Sequence, residues 1–289
     1  MGPYICGMHR SEAPVGRLVV CPTPIGNLED VTLRVLDMLA RADAIACEDT
    51  RHTKVLLDRH NIQARLISVH EHNERARTQE LTERIRTGAL IALVSDAGTP
   101  LVSDPGFALV RACLAEGLEV EVLPGPSATV TALVASGLPC ETWRFVGFLP
   151  RKSAERVRLF ERIEETLVAF ESPRRLCSTL ALLAERDPDR PLAVCRELTK
   201  LHEEVRRGTA SELDAHYRQS PPRGEVVMVI GAGAAGHGVR AEALAAVEEL
   251  VEAGVRGRAA ATLVAKLTGV GTNELYEGLT RASSRHTGS

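Results

Sequence analysis

The chain has 289 residues, of which 44% are hydrophobic and 25% charged, a composition typical of a globular protein with more than one core. Its net charge of -3 provides no overall attraction to nucleic acid or membranes, and an aromatic content of 3% argues against recognition by stacked bases. Seven scattered cysteines without a CxxC pair predict reduced thiols in a cytoplasmic protein. The chain has no apolar run long enough for a membrane span, so no membrane association is expected.

From Gly16 onward, short apolar runs alternate with amphipathic stretches, which predicts β-α-β units and a mostly parallel sheet. We therefore predict a first α/β domain over residues 16–138, after a disordered tail at residues 1–15. The five predicted strand and helix pairs are Leu18–Pro22 with Thr32–Arg41, Ala44–Cys47 with His52–Arg59, Arg65–Val69 with Arg75–Thr87, Leu90–Val94 with Phe107–Ala115, and Glu119–Leu123 with Ala128–Ser136.

The segment Gly137–Pro150 interrupts this rhythm and is the predicted crossing to a second α/β domain at residues 139–232. One strand of that domain alternates polar and apolar residues while others do not, so its sheet is predicted to be mixed. The predicted elements are strands at Thr166–Phe170, Leu192–Arg196, Glu203–Arg206 and Val226–Ile230, with helices at Arg174–Glu185 and from Glu212.

The last part of the chain, residues 238–284, is predicted to form a small helical appendage with the rhythm of a helix-turn-helix. Glycines at Gly254 and Gly269 would separate three short helices. So short a piece buries little by itself and should dock on the body, on a partner or in a dimer. Contact with RNA is an equally supported role.

Three polar loops follow predicted strands, at Pro22–Asp30, Ser95–Gly106 and Pro124–Thr129. Loops at the carboxyl ends of parallel strands open at one edge of the sheet, where ligands bind in such folds. The first loop lacks the GxGxxG glycines and no GxxxxGK[ST] occurs, which disfavours NAD, FAD and ATP. Taken alone, the third loop is better explained by helix capping, and the ligand interpretation is favoured by the three loops together.

The three loops read PTPIGNLED at Pro22–Asp30, SDAGTPLVSDPG at Ser95–Gly106 and PGPSAT at Pro124–Thr129. In this wording they resemble the tetrapyrrole-methylase superfamily of S-adenosylmethionine-dependent methyltransferases. Within it, the chain resembles the branch that methylates a cytidine ribose 2′-oxygen in the 16S rRNA of the small ribosomal subunit. The resemblance implies a two-domain fold, S-adenosylmethionine as cofactor and a homodimer. The matching segments are PTPIGNLEDVT at Pro22–Thr32, EDTRHT at Glu48–Thr53, SDAGTPLVSDPG at Ser95–Gly106, LPGPSA at Leu123–Ala128, GFLP at Gly147–Pro150, FES..R at Phe170–Arg174 and RELTK.HEE at Arg196–Glu204.

The resemblance also implies cofactor contacts, carried over by position. Superfamily members that act on tetrapyrroles often have glycines before the Asp of the central loop, and this chain departs from that pattern, which favours RNA as the substrate. The implied contacts are Pro24, Ser95, Asp96, Ala97, Thr99, Ser127, Ala128, Phe170, Leu198 and Val226.

Transfer of a methyl group to a ribose hydroxyl is an in-line displacement, which a base or a cation near the developing alkoxide would assist. The candidates for these roles are Glu48, Asp49, Arg51, Glu171 and Arg174. Capping of a helix explains the Glu48–Arg51 stretch equally well, and an Asx turn is the favoured explanation for Asp104. His52, His70 and His72 lack the pattern of a ligand set, so no metal is expected.

Basic side chains at Arg151, Lys152, Arg156 and Arg175 are predicted to contact rRNA phosphates, with a solvated helix face as the alternative. Two other functions stay open. One is a small-molecule tetrapyrrole methyltransferase of the precorrin or uroporphyrinogen type. The other is a ribosome-associated binding module without catalysis.

Overall fold

A computed structural model describes residues 16–70 and 72–286, with only the backbone described for 234–241 and 280–286. The predicted disordered tail at 1–15 lies outside the described residues. The chain forms two compact units, of which the first extends to Ala132 and also includes Arg196–Glu204. The second comprises Leu133–Cys195 and the chain from Val205 onward. The first unit thus ends before the predicted boundary at residue 138. It also includes Arg196–Glu204, which the sequence assigned to the second domain.

The first unit contains a five-stranded parallel sheet, as the sequence predicts. The strand order is β3-β2-β4-β1-β5. The elements are β1 (Arg17–Val20), α1 (Leu33–Arg41), β2 (Ala44–Cys47), α2 (Thr50–Arg59), β3 (Leu66–Ser68), α3 (Glu74–Arg86), β4 (Leu90–Leu93), α4 (Phe107–Ala115), β5 (Glu119–Val122) and α5 (Ala128–Ser136).

Both faces of this sheet are buried, which explains the nearly continuous apolar character of its inner strands. On β1, Leu18 and Val20 belong to one core, while Val19 and the following Cys21 belong to the other. The chain leaves β1 toward β2 on one side and leaves β4 toward β5 on the other. The boundary between β1 and β4 is therefore a topological switch point, and ligands bind outside the carboxyl ends of strands at such points.

The second unit contains the predicted mixed sheet, in the order β6-β7-β10-β8-β9. Strands β6 and β7 are parallel, and β7 and β10 are antiparallel. The elements are β6 (Trp143–Phe148), α6 (Ser153–Phe160), β7 (Thr166–Glu171), α7 (Pro173–Arg186), β8 (Pro191–Arg196), β9 (Glu204–Thr209), α8 (Ala210–Gln219) and β10 (Val226–Ile230).

Strand β6 corrects the interpretation of Gly137–Pro150 as a mere crossing. Arg144 and Gly147 interrupt the apolar alternation of WRFVGF, and the pairing with β7 shifts register between Phe145 and Phe148. This irregularity removes the period of two that identifies a strand in sequence.

The last helices are α9 (Ala234–Glu252), α10 (Gly257–Thr268) and α11 (Thr272–His286). They share a small core that includes Val247, Val264 and Leu275. Gly254 and Gly269 adopt left-handed conformations, with φ of 92° and 78°, at the two predicted breaks. Across the described residues, no helix is long and apolar enough to cross a membrane.

Candidate active site

The loops that follow β1 and β4 are joined at the switch point. Thr23 and Gly98 form an isolated antiparallel bridge, with N–H···O distances of 2.9 and 3.0 Å. The Thr23 hydroxyl donates to the Ser95 carbonyl at 3.0 Å, and the Ser95 hydroxyl donates to the Gly98 carbonyl at 3.2 Å. These contacts fix the first and second predicted ligand loops against each other.

The loop after β5 joins them. The Thr99 hydroxyl donates to the Pro126 carbonyl at 3.0 Å, and a Cβ added to Gly125 would lie 2.6 Å from the Pro22 Cβ. Only glycine allows the third loop to approach the first so closely. The Ser127 hydroxyl accepts from the Val130 N–H in the first turn of α5 at 3.5 Å, which matches the predicted capping role.

The structure brings eight of the ten predicted cofactor residues into the first unit. Pro24, Ser95 and Leu198 are buried, whereas Asp96 is half-buried and Ala97 is exposed. The other two lie in the second unit on neighbouring strands: Phe170 on β7, and Val226 on β10 opposite Glu171. The predicted cofactor residues in the first unit are Pro24, Ser95, Asp96, Ala97, Thr99, Ser127, Ala128 and Leu198.

Asp49 is the N-cap of α2, and its carboxylate accepts from the Arg51 backbone N–H at 2.8 Å. The Arg51 guanidinium also donates to it, and these hydrogen bonds lower the pKa of Asp49 to about 2. So acidic a carboxyl is a weak base, and the geometry matches the capping alternative. The Asp49 N–H donates to Asp96 Oδ1 at 3.1 Å. This bond connects the loop after β2 to the second ligand loop, Ser95–Gly106, which we call the central loop.

The carboxyl of Asp104, in the loop after β4, is altered by its surroundings. Burial, followed by repulsion from Glu48, raises the pKa of Asp104 to about 6. Repulsion from Asp96 also raises this pKa. Three carboxyl groups therefore share this part of the site, which the Asx-turn interpretation of Asp104 does not anticipate. Perturbed carboxyls of this kind concentrate at functional sites.

Replacing Asp104 with asparagine should stabilise the protein at neutral pH. The Asp104 carboxyl binds its proton more tightly in the folded protein than in the unfolded chain. The free energy of unfolding of the wild type therefore falls as the pH rises from 3.8 to about 6. The variant should lack this loss and gain up to about 3 kcal/mol at pH 7 in urea unfolding. The control is Asp37→Asn, because Asp37 forms an exposed ion pair with Arg41. A pH profile of stability in Asp104→Asn that is the same as that of the wild type would contradict a raised pKa of Asp104.

Glu74 holds the far end of the central loop and was missed in the sequence. Its Oε1 accepts from the Gly106 N–H at 2.9 Å, at the start of α4. Gly106 has a φ of 112°, and a Cβ there would lie 2.9 Å from Leu93. The only available signal was a carboxylate in the first turn of α3, which local rules assign to the helix itself.

Two predicted functional residues in the second unit are buried instead of facing a ligand. The Glu171 side chain is 0% exposed and that of Arg156 is 5% exposed. Glu171 accepts from Arg175 Nε at 2.7 Å and from the Thr179 hydroxyl at 2.8 Å, and Arg156 donates to that hydroxyl at 2.7 Å. We therefore assign Glu171 a structural role instead of a catalytic one. Arg156 is removed from the RNA contacts, because its side chain is buried, whereas the prediction placed it on an exposed helix face.

Other basic side chains remain available at one end of the second sheet. Arg151, Lys152 and Arg174 are exposed. Arg175 is half-buried and donates to the Leu149 carbonyl at 2.9 Å, which connects the segments after the parallel strands β6 and β7. In the described part of the chain, no group of three or more His, Cys, Asp or Glu could hold a metal ion.

The sequence matches the family of tetrapyrrole (corrin/porphyrin) methylases over residues 17–214. Ribosomal RNA small subunit methyltransferase I of Mycobacterium tuberculosis is 46% identical over 280 residues, which cover 94% of this chain and 97% of that relative. The protein of the same name from Thermotoga maritima is 44% identical over 218 residues, 75% of this chain and 98% of its own length. The chain therefore belongs to the tetrapyrrole methylase family, and within it to the ribosomal RNA small subunit methyltransferase I group.

Solved structures agree with this fold. Uroporphyrin-III C-methyltransferase from Thermus thermophilus has a TM-score of 0.53 and 25% identity, and the match covers 75% of this chain and 94% of that one. A second structure of that enzyme, complexed with S-adenosylhomocysteine, has a TM-score of 0.53 at 22% identity, covering 75% of this chain and 97% of that one. About a quarter of this chain lies outside the match with the Thermotoga relative.

Proposed function

We propose that this protein is an S-adenosylmethionine-dependent methyltransferase that methylates a cytidine ribose 2′-oxygen in 16S rRNA. The observation that carries the proposal is the identity of 46% over 94% of the chain with a relative named for the small-subunit rRNA. Tetrapyrrole methylation has support from structural neighbours at 25% identity or less. We place the protein in the cytoplasm, where 16S rRNA is located.

The chemistry of the first-unit loops fits a cationic methyl donor. S-adenosylmethionine carries positive charge on its sulfonium and ammonium groups and supplies the methyl group when bound. Glu48, Asp96 and Asp104 make this part of the site negative, and their mutual repulsion would be relieved by a cation. The bridge between Thr23 and Gly98 and the close approach of Gly125 to Pro22 hold the loops in one arrangement before binding.

The residues for the acceptor side are less numerous than the sequence suggested. In the first unit, Arg51 is exposed but its guanidinium is paired with Asp49, and Glu48 is half-buried in the loop after β2. In the second unit, Arg174 is an exposed cation of the kind that stabilises an alkoxide. Asp49 is engaged as a cap, so we assign it to the support of Asp96. Alignment of the ribose oxygen with the methyl group would then supply much of the rate.

Labelled S-adenosylmethionine tests the proposal directly. The protein would be incubated with 30S particles or with uroporphyrinogen, and the label mapped after nuclease digestion. Label on a cytidine 2′-oxygen is expected. Label found only in the porphyrinoid would establish the tetrapyrrole function, and absence of S-adenosylmethionine binding in calorimetry would favour a non-catalytic module.

RNA binding should depend steeply on salt if Arg151 and Lys152 contact phosphates. Each lost contact should reduce the slope of log affinity against log salt by about 0.7 to 0.9, so the double alanine variant should lose about 1.5. Filter binding of a 16S fragment between 50 and 200 mM salt, on the order of the physiological range, measures this. The control is Arg186→Ala, at the opposite end of α7 from Arg174. An unchanged slope in the double variant would remove these contacts from the proposal.

We also propose a homodimer. Helix α4 exposes Phe107 and Leu114, each 61% exposed and seven residues apart, hence on one face of the helix. Large apolar side chains on one exposed face are typical of interaction surfaces. Sedimentation of the wild type and of Phe107→Ser would test the assembly, and a monomeric wild type would contradict it.

A further inference from the structure

The connection between β8 and β9 makes an unusually close contact with the first ligand loop. Thr199 Oγ1 accepts from the Asn27 backbone N–H at 2.9 Å, although 172 positions separate the two residues. A Cβ added to the neighbouring Gly26 would lie 2.5 Å from Lys200 Cγ, 2.7 Å from Thr199 Oγ1 and 2.9 Å from the Leu198 carbonyl oxygen. No side chain fits at position 26 while this contact exists, so glycine is required there by space.

The backbone that presents this hydroxyl is strained. Glu197 and Thr199 have φ of 50° and 65°, in the left-handed region. Such a conformation is unfavourable for a β-branched residue and persists only where the surroundings enforce it. Local contacts do so here: the Thr199 N–H donates to Glu203, and Lys200 Nζ donates to Glu197 at 3.0 Å.

The strained segment also belongs to the first unit, although the strands on either side lead into the second. Leu198, between the two strained residues, is 6% exposed. The amino half of the first ligand loop is already fixed by Thr23 and Pro22, as described above. The next residues, Gly26 and Asn27, are exposed, and the Thr199 hydroxyl forms the hydrogen bond that connects them to the β8–β9 connection.

We propose that Thr199 is a positioning residue for the methyl donor: its hydroxyl holds the Gly26–Asn27 half of the first loop in the conformation that binds S-adenosylmethionine. This inference rests on the proposed function. A loop that is ordered before binding loses less conformational entropy when the ligand arrives, so the hydroxyl should increase donor affinity. It should have little effect on the chemical step once the donor is bound.

Two substitutions at this position separate the hydroxyl from the rest of the side chain. Thr199→Val keeps the volume and the β-branching, and therefore the backbone strain, but removes the acceptor. Thr199→Ser keeps the hydroxyl. We expect Thr199→Val to raise the dissociation constant and the KM for S-adenosylmethionine about five- to tenfold, while Thr199→Ser stays within about twofold of wild type. The kcat at saturating donor and the KM for 30S particles should change by less than about twofold in both variants.

Calorimetry with S-adenosylmethionine and thermal unfolding give the decision. Wild-type affinity in a folded Thr199→Val protein would overturn the inference, and so would equal losses in both variants or a loss confined to kcat. If Thr199→Val does not fold, Gly26→Ala probes the same contact from the other side and should weaken donor binding. Its control is Gly271→Ala, where the added Cβ meets only Glu274, at 3.8 Å. Unchanged affinity in Gly26→Ala would likewise overturn the inference, whereas a wild type that does not bind the donor refutes the proposed function instead.

Discussion

Replacing Asp96 with alanine should raise the dissociation constant for S-adenosylmethionine by about 100-fold, the value expected when a charged hydrogen-bond acceptor is lost from a binding site. The carboxylate accepts from the Asp49 N–H and so connects the loops after β2 and β4. It also provides negative charge beside the proposed cationic donor. Calorimetry with the purified variant measures the loss, and Asp96→Asn, which keeps one acceptor oxygen, should lose less.

A matched control is available at the other end of the same sheet. Asp43 Oδ2 accepts from the Leu90 N–H at 2.8 Å, at the amino end of β4, so Asp43→Ala removes the same kind of bond away from the ligand loops. Both alanine variants should lose stability, and only Asp96→Ala should lose donor affinity. Wild-type donor affinity in both variants would show that the central loop does not bind the donor.

Replacing Glu171 with alanine should destabilise the protein by about 3–5 kcal/mol, because it leaves the Arg156 charge buried without its carboxylate. The carboxylate of Glu171 accepts three bonds, from Arg175, from the Thr179 hydroxyl and from the Ser172 N–H at 2.7 Å. Urea unfolding followed by circular dichroism measures the change. At a temperature where the variant is folded, kcat should stay close to the wild-type value.

The double variant Glu171→Leu with Arg156→Met distinguishes a buried pair from a catalytic carboxylate. Replacing both charges with apolar side chains of similar volume removes the unpaired Arg156 charge and should restore part of the lost stability, while Arg175, the Thr179 hydroxyl and the Ser172 N–H still lack their acceptor. It should also leave activity intact if Glu171 is structural. A stable double variant without activity would return Glu171 to the catalytic candidates.

The parts of the fold that were predicted well are those whose signal is local. The bounds of α4 and of α5 match the prediction, because each follows a loop rich in proline and glycine and has a helical apolar period. The strand β6 was missed, since its shifted register hides the alternation. In the helical appendage, glycines alone marked the breaks, because a left-handed residue is a local requirement.

The candidate site divides in the same way. The three loops could be found from the sequence because strand ends, prolines, glycines and hydroxyls occur together within a few residues. Arg156 and Glu171 could not be assigned, because a charged residue on a helix or at a strand end carries no local mark of burial. Their burial is tolerable because Glu171 is bonded to Arg175 and the Thr179 hydroxyl, while Arg156 donates to that hydroxyl and lies 3.9 Å from Glu171.

By itself, the sequence determined the class of fold, the alternation of strands and helices that gives a parallel sheet, and the three loops at the carboxyl edge of that sheet. Each of these depends on residue patterns a few positions apart. Only the tertiary structure decided which carboxylates share the site, that Glu171 is buried and that Thr199 reaches Asn27. These depend on contacts between residues far apart in the chain. Burial and electrostatic coupling arise from such contacts, so no local pattern could have contained them.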